Sequence, residues 1–516
     1  MRTLLMLAAA ALAVASPSAL AGEEEEVVLD HWFAQFQKDK KSGWTHVRRV
    51  RTTRGGETVS VTEMQAFMEV GPQGQALPNP VQSRSRFVEN EAGTVLEYET
   101  VVELGQLSQR RAGTVKGGTI SFEDGEKKGT VAYPAGALGP VGLQAKLKAG
   151  LKPGAKIQAL AFTGVDPGKG NQVTWTVPQQ TTLVDVLGYH AWLYEVERRD
   201  SSDMPEKVLV DGAGTRWGGA LNLGLIGFLR TEEVVARDRR DPGDWLPSRI
   251  VEADRVISAS ALRDRVVLRL SRAKGPVGDL PEGALQRVVR RGEDGSVDVA
   301  ISAKSSKKDL VVWMRPYTGG DQDDLLHATP LLQLAHPRLK KYAEASVGKL
   351  QDGLSCARVL EMRVKQTVSP AASNVGWANS SGVLSSRKGD FTETAVLAAA
   401  AARSLGLPSR LVAGFVYWGP DTWPKGRYAN GAFVAHVWAE IHAGEDLWVP
   451  VDPMRMTIPA KVERVADLAG HAGFDAGHVA VLRSNADTDK PFTEFVLPVL
   501  EFLDGLKVEV VEPEAQ

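Results

Sequence analysis

The sequence predicts an α+β protein: N-terminal antiparallel β regions, then a domain in which a central buried helix packs on an antiparallel sheet. Three observations carry this. Residues 43–236 hold alternating and β-branched stretches such as "SRSRFV", "TVLEYETVVEL" and "QVTWTVPQQTTLVDVL". From residue 325 the pattern turns helical and then returns to strands. Between those helices and strands, "TETAVLAAAAARSLGLP" is too apolar and too small-sided to be a surface helix, so it is expected to pack closely on several sides.

In chain order, Met1-Arg2 gives a short basic start, and Leu4 to Ala15 is apolar. Ser16-Pro17-Ser18 breaks the run, and Ala19-Leu20-Ala21 fits small-x-small cleavage. Residues 1–21 are thus expected to be a secretory signal peptide, and the mature protein periplasmic or extracellular. A dozen apolar residues are too few to span a bilayer. No cysteine follows them, which argues against a lipid anchor, and no later run reaches transmembrane length. Glu23 to Glu26 form an acidic leader.

The β-rich N-terminal domain is assigned to 22–236. Gly55-Gly56 marks a turn before the alternating Val59, Ser60, Val61 and Thr62. "GPVGLQAKLKAGLKPG" reads as a short helix ending at Gly150, giving a curved antiparallel sheet with one packed helix. His46 and His190 each stand without a catalytic partner in this region. "RDRRDPGDWLPS", residues 237–248, reads as a linker. A small β domain is expected over 250–316, with a hairpin turning at Gly292 to Gly295, and "YTGGDQDD" is the next boundary. Helices are expected over Leu339–Leu350 and Leu354–Val368, within a last domain over 325–516.

With 516 residues, 43% hydrophobic and 24% charged, the chain is an ordinary globular protein of more than one domain. A balance of 61 basic against 63 acidic side chains gives no reason to expect a nucleic-acid partner. A lone Cys356 excludes an internal disulfide and a thiolate metal cage, and its apolar helical surroundings make it a buried, inert thiol. "GHAGFDAGHV" brings His471, Asp475 and His478 into one loop, but the donors fall short of a metal set. No metal and no cofactor is expected.

The chemistry concentrates after residue 387. Asp390 and Glu393 form a capping box at the start of the buried helix, and Gly406-Leu407-Pro408 stops it. "SRLVAGFVYW" follows as a buried strand. In "AFVAHVWAEIHA", alternation sends Val434, His436, Trp438, Glu440 and His442 to one face. "DLWVPVDPM" delivers Asp452 at a strand end. A capped helix start, a histidine on a neighbouring strand and an aspartate one strand further form a nucleophile–base–orienter layout. The position that a thiol would need holds Phe391.

These blocks resemble the transglutaminase-like core domain, the papain-related fold of bacterial cysteine proteases, amidases and transglutaminases. That family runs Gly-Asp-Cys, a helix ending in a Gly-x-Pro-x-Arg turn, His-x-Trp-x-Glu and Trp-Val-x-x-Asp-Pro. Here they stand as Gly389-Asp390, "SLGLPSRLVAGFV", "HVWAE" from His436 and "WVPVDP" from Trp448, within residues 325–485. The resemblance implies that His436 is the general base and Asp452 the orienter, with Phe391 in place of the nucleophilic cysteine. It places the aromatic loop "VYWGPDTWPKGRY" beside the cleft, with Trp418, Trp423, Tyr428, Trp438 and Glu440 as binding residues.

Three functions follow as expectations. The first is a catalytically inactive relative that binds or scaffolds protein, peptide or cell-wall material. The second is an amide hydrolase or acyltransferase in which His436 and Asp452 activate a water or Thr392. The third places ligand binding in the N-terminal β region.

Overall fold

The computed structural model describes residues 25–37, 40–70, 76–186, 189–200, 205–221, 226–238, 250–304, 311–370, 378–424, 427–468 and 470–511. The expected signal peptide and nearly all of the expected linker lie outside these residues. The chain divides into two compact units, Met1–Leu187 with Ala191–Asp241, and Gly188–His190 with Pro242–Gln516.

The N-terminal unit is one 16-stranded sheet, antiparallel among the described pairings except for Lys156–Ala161 beside Ala137–Leu138 at one edge, which is parallel. Eight strands from Glu26–Gln37 to Lys127–Ala132 lie side by side in chain order. On the other flank of Glu26–Gln37 the sheet continues through Ile226–Thr231 back to Ala137–Leu138. The two edge strands of that path are joined by only four residues. Their ends therefore lie within about 18 Å of each other, and the sheet must roll up. The roll has a shared core of Tyr98, Ile120, Ala137 and Phe162 from both halves. Its turns are the kind that twisted strands favour: Gly55 and Gly56 take φ of 58° and 85° in a two-residue hairpin loop. His46 has partners after all, an Asp30 oxygen at 2.6 Å and the Trp32 ring stacked at 4.0 Å. The side chain of His190 lies outside the described residues.

The expected helix is Pro140–Gly150, and its N-terminus is capped from a distance. Gly139 offers no side chain, so the carboxylate of buried Glu89 accepts the N–H groups of Val141, at 3.0 Å, and Gly142, at 3.2 Å. A Cβ on Gly139 would lie 2.6 Å from that carboxyl carbon, so glycine permits the approach. Burial pushes the Glu89 carboxyl up to about 7, against the pull of the two amides and Arg49. The folded chain thus keeps a proton that the unfolded chain loses from about pH 4.5 upward, so stability falls as pH rises through that interval.

The C-terminal unit holds a five-stranded sheet and a four-stranded sheet. In the first, Ala432–Gly444 pairs with Ser409–Trp418 on one side and with Leu447–Val451 and Val251–Glu252 on the other; His478–Ser484 pairs with Ser409–Trp418. Helices Pro337–Val347, Gly353–Thr367 and Ser380–Ser386 pack around the central helix Phe391–Ser404, which also lies on the Ala432–Gly444 strand. Ala398 to Ala402 are all fully buried, and their small side chains let neighbours approach from every direction.

The segment 250–316, expected as a domain by itself, shares both sheets with later residues. Arg265–Arg272 and Val297–Ser302 lie at the centre of the four-stranded sheet, and Leu506–Val511 completes it. The hairpin at Gly292 to Gly295 forms as expected, but Leu268 and Leu270 need a further strand to be sealed at 0% exposure. Among the described residues, no helix is long and apolar enough to cross a membrane.

Glu89→Gln should flatten the fall in stability between pH 4.5 and 7, a change on the order of 3 kcal/mol. Calorimetric unfolding of both proteins across that range checks it; an unchanged slope would show that Glu89 does not hold the proton.

Candidate functional site

The helix start is built as the sequence predicts. Asp390 accepts the backbone N–H and the hydroxyl of Thr392, each at 2.7 Å. Glu393 reaches back to the Asp390 N–H at 2.9 Å and also takes the Ala378 N–H at 3.2 Å. Gly389 is required here, because a Cβ would lie 2.3 Å from that of Glu393. Burial and the adjacent Asp390 push the Glu393 carboxyl well above the usual range. This cap fixes the first helical residue, Phe391, which is half-buried, and its ring centroid lies 4.7 Å from that of His436.

His436 comes from the strand Ala432–Gly444 and is 2% exposed. Its Nε2 donates to Oδ2 of Asp452 at 2.8 Å. Asp452 follows the strand Leu447–Val451, where Pro453 ends the ladder. The dyad expected from the sequence is therefore present.

The same Asp452 oxygen has a second neighbour, Nε2 of His478 at 3.1 Å. On the far side of that ring, Nδ1 lies 3.0 Å from Oδ1 of Asp475, and Arg455 donates to Oδ2 of Asp475 at 2.7 Å. Asp452 Oδ1 accepts the Met454 N–H at 3.2 Å. Beneath the site, fully buried Glu361 accepts the N–H groups of Asp452 at 3.0 Å and Gly473 at 2.9 Å, and its other oxygen pairs with Arg358 at 3.1 Å. One carboxylate thus ties the Asp452 backbone to the loop that carries Asp475.

Burial governs the protonation of this chain of groups. It disfavours the charged form of Asp452, yet the two imidazoles overcome that penalty and hold Asp452 far below the usual carboxylate range. Burial lowers His436, and Asp452 only partly compensates. For His478 burial also opposes the charge, but hydrogen bonds to Asp452 and Asp475 win and raise it. Asp475 drops to about 2: burial opposes ionisation, but the pull of His478 and Arg455 exceeds it.

Among the described residues, His436, Asp452 and His478 form one group whose nitrogen and carboxylate donor atoms lie within 4.8 Å of one another. The donor types suit a transition metal. The hydrogen-bond geometry accounts for them without one: a single oxygen accepts from two ring N–H groups, and all three side chains are sealed from solvent. His471, grouped with His478 in the sequence, bonds instead to Thr457 at 3.1 Å.

Two expected binding residues are not accessible. Trp438 is 1% exposed in a core with Val412, Phe474 and Ala480, and Glu440 is 6% exposed and paired with Arg410 at 2.6 Å. Alternation places both on the face of His436, and neighbouring elements cover that face. His442 lies against Trp448 and Trp313, apart from the Asp452 bonds. Trp418, Trp423 and Tyr428 are half-buried; Trp423 meets Tyr428 edge-on at 4.8 Å, and Arg455 covers Trp418 at 4.5 Å. Cys356 is buried in the helix Gly353–Thr367, and burial pushes its thiol up to about 11.

The capped buried helix, the histidine strand and the aspartate after the next strand all fall within one matched segment. Residues 340–453 match the family model described as the transglutaminase-like superfamily, and the chain carries a transglutaminase-like domain. No curated protein matches the sequence. Similar solved structures include a candidate cysteine protease from Cytophaga hutchinsonii, 13% identical over 49% of this chain and 88% of that one, with a TM-score of 0.27. Another is a β-barrel-like protein with a domain of unknown function from Brucella abortus, 15% identical over 40% of this chain and 96% of that one, TM-score 0.26. A candidate protease from Parabacteroides distasonis is 11% identical over 78% of this chain and 65% of that one, TM-score 0.19.

Sequence reasoning missed Glu361, which sits in an amphipathic helix like any surface glutamate, and the joining of His478 to Asp452. A charged residue among Leu360, Met362 and Val364 was the available signal for Glu361. Glu361→Ala should destabilise the C-terminal unit by about 3 to 5 kcal/mol, because it leaves two buried amides unpaired and takes from Arg358 its carboxylate, with only the Pro450 carbonyl remaining to it. Urea unfolding measures this, and a loss under about 1 kcal/mol would contradict the role assigned to it.

Proposed function

We propose that this is an exported, catalytically inactive transglutaminase-like protein that binds or scaffolds protein, peptide or cell-wall material. The observation that carries the reading is Phe391 at the capped helix start, its ring 4.7 Å from that of His436. A phenyl group has no lone pair with which to attack a carbonyl, and covalent catalysis in this layout requires an activated nucleophile. It also places apolar bulk beside the base.

The nearby alternatives are occupied. The Thr392 hydroxyl is donated to Asp390 in the helix cap, and Cys356 is buried on a different helix. Among the described residues, His436 has one hydrogen-bond partner, Asp452. The retained dyad is the one observation that favours the second reading, hydrolysis by an activated water. The apolar start and the Ala19-Leu20-Ala21 pattern support export. The half-buried Trp423 and Tyr428 rings support a stacking surface for a peptide or a glycan.

The mature protein should show no amide hydrolysis or crosslinking. Activity that disappears in His436→Ala would replace this reading with the second. Trp423→Ala should weaken retention on cell-wall material or a displayed peptide library by roughly tenfold, about 1.4 kcal/mol. Equal retention by wild type and variant would remove the aromatic loop from the binding surface.

A further inference from the structure

The Asp452 side chain has two histidines where a nucleophile–base–orienter layout needs one. Both ring nitrogens of His478 face a carboxylate oxygen, Asp452 at 3.1 Å and Asp475 at 3.0 Å. A bare nitrogen lone pair against an ionised oxygen is repulsive, so each contact calls for a proton on the ring. The Asp475 backbone N–H also lies 3.2 Å from Nδ1, a contact that suits the neutral ring. Arg455 decides between them: it bonds to Asp475 at 2.7 Å and keeps that carboxylate charged.

We infer that His478 is a positioning residue: wedged as an imidazolium between Asp452 and Asp475, it matches the charge of Asp452 and confines His436 to its neutral form, protonated on Nε2.

The charges close on this count. Asp452 and Asp475 carry two negative charges, and His478 and Arg455 two positive ones. A further proton on His436 would have no unmatched partner in a region where all three inner side chains are at most 2% exposed. Among the described residues, the titratable groups facing His478 are Asp452 after its strand, Asp475 in its own loop, Arg455 behind Asp475, and His436 from another strand of the same sheet. The rings of Trp438 and Phe474, at 5.2 and 4.6 Å between centroids, form the uncharged wall. Glu361 reaches only backbone amides here and its own partner Arg358.

The inference deepens the non-catalytic reading and rests on it. A thiol at position 391 would be activated by passing its proton to His436. With Asp452 already matched by His478, that transfer is unfavourable. The site is therefore held inactive at two places, and restoring a cysteine alone leaves the base unresponsive.

Histidine ring-nitrogen NMR of the whole mature protein between pH 4 and 9 tests this. His478 should keep both protons above the pH at which an ordinary histidine loses one, while His436 stays neutral below that pH. In His478→Gln the His436 pKa should rise by about one unit or more. Asp475→Asn, which leaves the His478 ring in place, should raise it in the same direction and covers the case in which the first variant does not fold. In Phe391→Cys, alkylation at pH 6 should quicken roughly tenfold when His478→Gln is added, the kinetic equivalent of one unit. An unmoved His436 in both single variants overturns the inference, as does a neutral His478 at pH 6. Stoichiometric zinc binding lost with His478→Gln overturns it too, since the three groups would then be ligands. Native amide hydrolysis would instead defeat the non-catalytic reading and leave the histidine titrations to stand by themselves.

Discussion

One carboxylate oxygen, Oδ2 of Asp452, organises the C-terminal unit. It takes hydrogen bonds from two imidazoles that arrive on different strands, while the Asp452 backbone is anchored by Glu361 from a helix. A buried anion is tolerable only when its neighbours supply charge and protons. That requirement fixes the ends of three strands and a loop relative to one another. The geometry at Phe391 depends on it as well, since the His436 ring against which Phe391 rests is oriented by the same oxygen.

The N-terminal unit meets the same physical problem and resolves it the other way. Glu89 is also sealed from water, but its partners are backbone dipoles, with a guanidinium acting only through its field. Amide dipoles at a helix start carry a fraction of a charge. They do not match the desolvation cost, and the carboxyl holds its proton. Asp452 faces rings that can carry a whole charge, and it gives its proton up. Whether a buried acid is ionised thus follows from what its neighbours can become, more than from how deeply it lies.

Much of this was legible in the sequence. The cap at Asp390 and Glu393, the alanine-rich helix, and the placing of His436 and Asp452 on successive strands all follow from local periodicity and punctuation. The histidine strand shows where local reading stops. Alternation assigns Trp438 and Glu440 to the face of His436, but it says nothing about what covers that face, and both are buried. His478 looked like a loop residue among glycines, because its partnership with Asp452 spans 26 residues of chain. Glu361 is 91 residues from the amide that it accepts. Long-range polar contacts leave no period in a sequence, only an oddly placed charged residue.

The strand Leu506–Val511 carries a last consequence. It pairs with Arg265–Arg272, so the four-stranded sheet joins segments separated by more than two hundred residues. During synthesis the three earlier strands emerge with the Arg265–Arg272 edge open, and that edge must wait for most of the unit before its final strand arrives. Such an edge is a template for pairing with other chains, and non-local strand pairing is slow to form. The four-stranded sheet is therefore completed only by the last strand of the unit, and the Arg265–Arg272 edge is sealed last.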